Sequence, residues 1–133
     1  MPSRPTVDAF IRDVMTEDHV GAIERWYHED ASMQENQAPP RVGRKLLMEG
    51  ERRTLARVAS VTTELLAPPL INGDTVVIRW RFTFTQTNGE KRSLEEVAWQ
   101  TWRGDRISRE TFFYDPAQMA GRDRSTLPAP RKP

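Results

Sequence analysis

The stretch SLEEVAWQTWRGDRISRETFFYDP, residues Ser93–Pro116, reads as two strands around a Gly104-Asp105 turn, a pair favoured in two-residue hairpin loops. A loop of that length sets Trp99 opposite Glu110, Val97 opposite Phe112 and Glu95 opposite Tyr114. Side chains alternate between the two faces of a sheet. One face is therefore expected to carry Glu95, Val97, Trp99, Glu110, Phe112 and Tyr114. The other carries Glu96, Ala98, Gln100, Arg109 and Thr111, with Leu94, Trp102, Ile107 and Phe113 towards its ends. Two carboxyls and a phenol among aromatic residues are costly as plain core, because an unpaired buried charge is unfavourable. The spacing points to a wall that encloses something.

Working outward, Thr75–Gln86 alternates Val76, Ile78, Trp80, Phe82 and Phe84 against Val77, Arg79, Arg81, Thr83 and Thr85. That is the pattern of a half-buried antiparallel strand. Asn88-Gly89 is a strong hairpin signal. As a two-residue loop it places Trp80 opposite Val97, Ile78 opposite Trp99 and Phe82 opposite Glu95, giving a three-stranded meander with one aromatic face. This register keeps Arg79 and Arg81 away from apolar neighbours. A three-residue Thr87-Asn88-Gly89 loop would instead exchange Glu95 for Glu96 on the inner face.

Upstream, Val7, Phe10, Ile11 and Val14 have helical spacing from a Thr6 cap, and a second helix starts at Asp18 with Val20, Ile23, Trp26 and Tyr27 buried. Ala31–Asn36 has the length of a strand, Gln37–Arg41 with Pro39-Pro40 reads as loop, and Gly43–Val58 as the longest helix. Val61–Leu66 is a further strand, followed by turns at Pro68-Pro69 and Asn72-Gly73-Asp74. Helices followed by strands predict an α+β fold. A curved antiparallel sheet wraps over about three N-terminal helices, cone-shaped with an internal pocket. Residues 1–5 read as a flexible lead, 6–120 as one domain, and 121–133 as a basic, Pro-rich disordered tail.

A net charge of +1 over 133 residues argues against nucleic-acid binding driven by phosphate neutralisation. The chain has no cysteine, which excludes disulfides, thiolate zinc sites and a thiol nucleophile. No apolar run has the length of a membrane span, and Met1–Phe10 lacks the apolar core of a signal peptide, so no membrane association is expected and the cytoplasm is the expected location. His19 and His28 read as solvated residues at helix edges, and no metal site is expected. There is no phosphate loop, dinucleotide fingerprint or nucleophile elbow, and no cofactor is expected.

The element order resembles the nuclear-transport-factor-2-like superfamily, and within it the SnoaL-like and ketosteroid isomerase-like proteins. The residues that carry the resemblance are Asp18–Trp26, Tyr27-His28-Glu29-Asp30-Ala31, Arg41-Val42-Gly43, Glu95-Glu96-Val97-Ala98 and the closing ETFFYD of Glu110–Asp115. The resemblance implies that an acid on the first strand moves a proton, and Glu35 stands at that position. Two other features are not matched. Phe10 replaces the first-helix tyrosine, and Val97 or a neighbour replaces a fourth-strand acid, so steroid isomerisation is not implied.

The expected function is binding of an apolar small molecule, with cofactor-independent acid/base chemistry of isomerase, cyclase or dehydratase type on a carbonyl or polyketide-like substrate. Lyase or hydrolase chemistry, and a non-catalytic ligand-binding or dimerisation module, stay open as alternatives. Glu35 would be the base, Glu110 a second acid/base, and Tyr114 a donor to a developing oxyanion. Trp26, Trp80, Phe82, Glu95, Trp99 and Phe112 would contact substrate. Each also has a plain reading: a solvated strand-edge acid for Glu35, a satisfied buried acid for Glu110, a Glu95–Tyr114 hydrogen bond, and core packing for the aromatics. A homodimer is expected through the outer sheet face, using Trp102, Ile107 and Phe113.

Overall fold

Chain-end chemistry sets where the helices begin. The structure, a computed structural model, describes residues 1–120, and the tail read at 121–133 lies outside them. Helix α1 (Arg4–Met15) opens earlier than the expected Thr6 cap. Ser3 caps it instead, accepting from the Thr6 amide at 3.2 Å, and Pro5 occupies the first turn, where its missing N–H costs nothing. Helix α2 (His19–Trp26) starts from Asp18, whose carboxylate accepts from the Gly21 amide at 3.0 Å. Helix α3 (Arg44–Ala56) follows Gly43, whose φ of 108° suits glycine.

Strand β1 (Tyr27–Glu35) is longer than expected, and the Pro-containing loop after it ends in the short strand β2 (Arg41–Val42). Then come β3 (Ser60–Leu65), β4 (Leu70–Asn72), β5 (Thr75–Thr85), β6 (Lys91–Arg103), β7 (Arg106–Phe113) and a terminal turn of helix, α4 (Ala117–Ala120). The sheet order is β2-β1-β7-β6-β5-β3, with β4 also pairing β5. The α+β class holds, and the sheet is open and curved. It is mixed rather than wholly antiparallel, because β1 lies parallel to β7, with Met33 beside Glu110 and Glu35 beside Phe112.

Both hairpins depart from the expected registers by one residue. Between β5 and β6, Gln86 N–H donates to Glu90 O at 2.7 Å around a three-residue Thr87-Asn88-Gly89 loop, with Gly89 at φ +89°. Trp80 therefore faces Glu96, Ile78 faces Ala98, and Phe82 faces Leu94. Arg79 and Arg81 remain on the outer face, where Glu95 accepts from both and Glu64 from Arg81. Those carboxylates remove the reason for preferring the two-residue loop.

Between β6 and β7 the two-residue Gly104-Asp105 turn forms as expected, pairing Arg103 with Arg106 and Trp102 with Ile107. One residue, Ser108, then bulges, and its hydroxyl donates to Thr101 O at 3.0 Å. Beyond the bulge Gln100 faces Glu110 and Ala98 faces Phe112. The inner face is thus Leu94, Glu96, Ala98, Gln100, Trp102, Ile107, Glu110 and Phe112. Trp102 and Ile107 are buried at 1% and 0% exposure, which corrects their expected place on an outer dimer surface. Glu95, Val97 and Trp99 point outward, with Trp99 50% exposed.

The helices close this inner face through aromatic packing. Phe10 of α1 meets Trp102 edge-on at 5.8 Å, Trp26 at 5.9 Å and Tyr27 at 6.4 Å. Such contacts add to the burial of the rings. Phe10→Ala, made at this meeting point, is expected to cost about 3–5 kcal/mol in urea unfolding. A loss below about 1 kcal/mol would show that Phe10 does not couple helices to sheet.

Candidate active site

The curvature of the sheet and the three helices leave a cavity of about 190 Å³ between them. Its apolar wall includes Phe10 of α1, Ile23 of α2 and Leu47 of α3, with Trp80, Phe82 and Phe84 from β5, Leu94 from β6 and Phe112 from β7. Into it project four carboxyl side chains, Glu35, Glu51, Glu96 and Glu110, together with Tyr27, His19 and Arg41. Among the described residues, no three His, Asp or Glu side chains are grouped to hold a metal ion.

Of the residues expected from sequence, the structure brings Glu35, Glu110, Trp80, Phe82 and Phe112 to this cavity. Glu35, near the end of β1, is partly exposed, and Arg41 Nη2 donates to both its oxygens at 3.0 and 2.9 Å. Glu110 is held at both oxygens. Tyr27 O–H donates to Oε1, and Gln100 Nε2 donates to Oε2 at 2.6 Å. Trp102 Nε1 in turn donates to Gln100 Oε1 at 2.9 Å. The bulge at Ser108 makes this chain possible by turning Gln100 and Glu110 to the same side.

The structure leaves four expected residues out of the cavity wall. Glu95 and Trp99 lie on the outer face, because the three-residue loop and the bulge reverse their parity. Trp26 packs behind the wall against Phe10 and Trp102, its Nε1 donating to Asp13 at 2.7 Å. Tyr114 lies just past β7, anchored by its amide donating to Asn36 Oδ1 at 3.0 Å. Burial, with the charges of Glu35 and Glu96, pushes its phenol pKa up.

The functional groups missed from sequence are Glu96, Glu51, His19, Arg41, Tyr27 and Gln100. Glu96 follows from the three-residue loop. Glu51 had a legible signal: it interrupts the α3 stripe that Leu47 and Thr54 define, and those three share the cavity wall. His19, expected in solvent, has a side chain only 10% exposed. Nothing in the local sequence separates His19 from His28, whose Nε2 bonds Arg103 O on an exposed edge.

The electrostatics follow from crowding acids in a largely apolar cavity. Glu96 is 8% exposed, and among the described residues no side chain hydrogen-bonds it. Burial, then the charges of Glu110, Glu35 and Glu51, push it up to about 8. Burial pushes Glu110 up to about 7, against the opposing hydrogen bonds from Tyr27 and Gln100. Glu51 is raised by burial, an effect that His19 and Arg41 oppose. Tyr27 is driven well above the usual phenol range by burial and by Glu110. Burial thus favours the protonated form of Glu96 near neutral pH, in the same apolar space that Glu35 and His19 line. A carboxyl raised towards the working range beside other titratable groups is a setting suited to acid/base chemistry.

An α+β cone whose sheet and helices enclose an acid-dotted cavity defines a class of small-pocket proteins. Residues 7–110 match the SnoaL-like domain, and the chain belongs to that family. The solved structures it resembles include a Mesorhizobium loti protein assigned as a SnoaL-like polyketide cyclase, 23% identical, with a TM-score of 0.71 over 86% of this chain and 100% of that one. A protein with a ketosteroid isomerase-like fold from Catenulispora acidiphila is 18% identical, with a TM-score of 0.68 over 87% and 88% of the two chains. An LEH-like epoxide hydrolase from M. tuberculosis is 15% identical, with a TM-score of 0.70 over 86% and 84%. At these identities the likeness is one of fold, of the nuclear-transport-factor-2-like kind. No sequence among curated proteins matches the chain. Among the described residues no helix is long and apolar enough to cross a membrane.

A carboxyl whose pKa rises on folding favours the folded state below its ordinary value, near 4.5, and that contribution is lost as pH rises through the folded value. Stability is accordingly expected to fall between pH 5 and pH 8. The cost at pH 8 is on the order of 4 kcal/mol for Glu96. Glu96→Gln is expected to flatten the dependence of Tm on pH and to raise Tm at pH 8. An unchanged pH profile would mean that Glu96 is not the buried acid described.

Proposed function

We propose that the protein is a cofactor-independent acid/base catalyst acting on a compact, mainly apolar carbonyl compound held in the cone cavity. The observation that carries this reading is Glu96: nearly buried, without a hydrogen-bond partner among the described residues, and set in an aromatic wall. Its proton is placed to pass to a carbonyl oxygen, the role that sequence reading gave to Tyr114. Glu35, fixed by Arg41, is the carboxylate for a proton on the carbon beside that carbonyl. Glu110, saturated by Tyr27 and Gln100, tunes and positions more than it reacts. The volume selects substrates. A cavity of about 190 Å³ is comparable to the roughly 150 Å³ space that holds one benzene. It favours single-ring or short-chain compounds over a multi-ring polyketide.

Proton abstraction can be tested before the product is known. A panel of compact ketones, including acetophenone and cyclohexenones, is incubated with protein in D₂O, and deuterium uptake beside the carbonyl is followed by NMR. Wild type is expected to accelerate exchange, and Glu96→Gln and Glu35→Gln each to slow it by about 10²-fold or more. Saturable thermal stabilisation without exchange would favour the non-catalytic binding module. Neither exchange nor stabilisation across the panel would sink the reading.

The exposed Trp99 and Phe113 on the outer sheet face favour self-association there, in place of the buried Trp102 and Ile107. A homodimer is expected in sedimentation at tens of micromolar (on the order of ordinary assay concentrations), reverting to monomer in Trp99→Glu. Wild-type monomer under those conditions would remove the dimer.

A further inference from the structure

The link between α1 and α2 contains a residue under backbone strain. Glu17 sits at φ 74°, in the left-handed region that non-glycine residues rarely occupy. The conformation delivers its carboxylate to β3. Thr63 donates to it twice, from its amide to Oε1 at 3.1 Å and from its hydroxyl to Oε2 at 2.8 Å. On the other side of the same hydroxyl, at 2.9 Å, lies His19 Nε2.

These contacts determine where the imidazole proton is. A threonine hydroxyl has one proton and accepting lone pairs. Its proton is committed to Glu17, so towards His19 it can only accept. Nε2 must therefore carry hydrogen, and in the neutral ring Nδ1 is the bare nitrogen. Among the described residues Nδ1 has no hydrogen-bond partner, and no buried side-chain nitrogen or oxygen there is left unpaired, so Nδ1 keeps open surface. The ring forms part of the cavity wall, edge-on to Phe82 at 5.6 Å. Glu51 and Arg41 share that wall.

We propose that His19 acts through Nδ1 as a general base of the cavity, with Thr63 and Glu17 as positioning residues that hold the ring in its Nε2–H form. The inference rests on the acid/base reading above for its substrate class, a compact carbonyl compound. In the step it performs, Nδ1 takes a proton from the carbon beside the carbonyl. The C–H electron pair becomes the new carbon–carbon double bond, and the carbonyl π pair takes the proton of Glu96. The products are an enol, an imidazolium and a carboxylate. Return of a proton from the imidazolium to the same carbon, on either face, and of the enol hydroxyl proton to Glu96 regenerates or epimerises the carbonyl compound and restores both residues. Two bases, His19 on α2 and Glu35 on β1, then address the substrate from helix and strand. A buried imidazole oriented by a second group is the arrangement that general bases need.

The test has readouts that do not depend on turnover. Two-dimensional ¹⁵N NMR at pH 9, above the range in which imidazoles titrate, is expected to show His19 with Nε2 protonated and Nδ1 bare. Thr63→Val is expected to give averaged tautomers, and Thr63→Ser, which keeps the hydroxyl, to restore the single form. An Nδ1–H tautomer in wild type, or no change in Thr63→Val, overturns the proposal. The second readout is alkylation by 2-bromoacetophenone, in which Nδ1 attacks the CH₂ carbon and bromide leaves. His19 is expected to label at Nδ1 with saturation, whereas the half-buried His28, outside the cavity, labels without it. Absence of His19 labelling, or labelling at Nε2, overturns the proposal. Protection by acetophenone separates the two readings: Nδ1 labelling without protection upholds the base and counts against a ketone site. Where exchange is measurable, Thr63→Val is expected to lower kcat about tenfold with KM little changed, and Thr63→Ser to recover it.

Discussion

Strand β6 supplies Leu94 and Glu96 to the cavity and Gln100 and Trp102 behind it, and its register against β5 and β7 is the constraint on which the rest depends. Side chains alternate with a period of two, so a slip of one residue exchanges an entire face. In the observed register Glu96, Ala98, Gln100 and Trp102 point inward together. Trp102 then meets Phe10 and closes the helices onto the sheet, while Gln100 binds Glu110. One registration thus supplies the core contact, the polar chain and the acid of the cavity. Two one-residue devices maintain it, the three-residue loop before β6 and the Ser108 bulge after it.

The cavity works against folding and is held by what surrounds it. With Glu35 at the same cavity, burial and the neighbouring carboxylates raise the pKa values of Glu51, Glu96 and Glu110. Partners relieve only some of this. Arg41 neutralises Glu35, and Tyr27 with Gln100 satisfies Glu110. Glu96 is left with a proton and no acceptor. Strain at Glu17 adds to the cost, and it too lies beside the cavity. Destabilised groups concentrated at one pocket are the pattern expected where reactivity, not stability, determined the residues.

The legible part of this protein was carried by local periodicity. Val7, Phe10, Ile11 and Ile23 announced two helices, and the alternation in Thr75–Thr85 announced β5 with Trp80 and Phe82 inward. The order of those elements led to the α+β cone, and the resemblance singled out Glu35 on the first strand, which lines the pocket. Glu95 and Trp99 were misplaced because a loop and a bulge each add one residue, and short-range preference does not reveal which registration the distant core will accept. Arg79 and Arg81 misled for the same reason, since their partners Glu64 and Glu95 come from two different strands. His19 was unreadable because its partners, Glu17 and Thr63, meet only when the α1–α2 link comes against β3.

By itself the sequence determined helices α1 to α3, strands β1, β3, β5, β6 and β7, the meander of the last three, and the expectation of a pocket lined with aromatic residues and acids. These follow from spacing within a dozen residues, where side-chain periodicity and turn chemistry act directly. Tertiary structure alone decided which glutamate of the Glu95-Glu96 pair enters the cavity, that β1 runs parallel to β7, and that His19 faces inward. Those outcomes depend on burial and hydrogen bonding between segments far apart in the chain. Their free energies exceed the small local preferences that distinguish one loop length from the next.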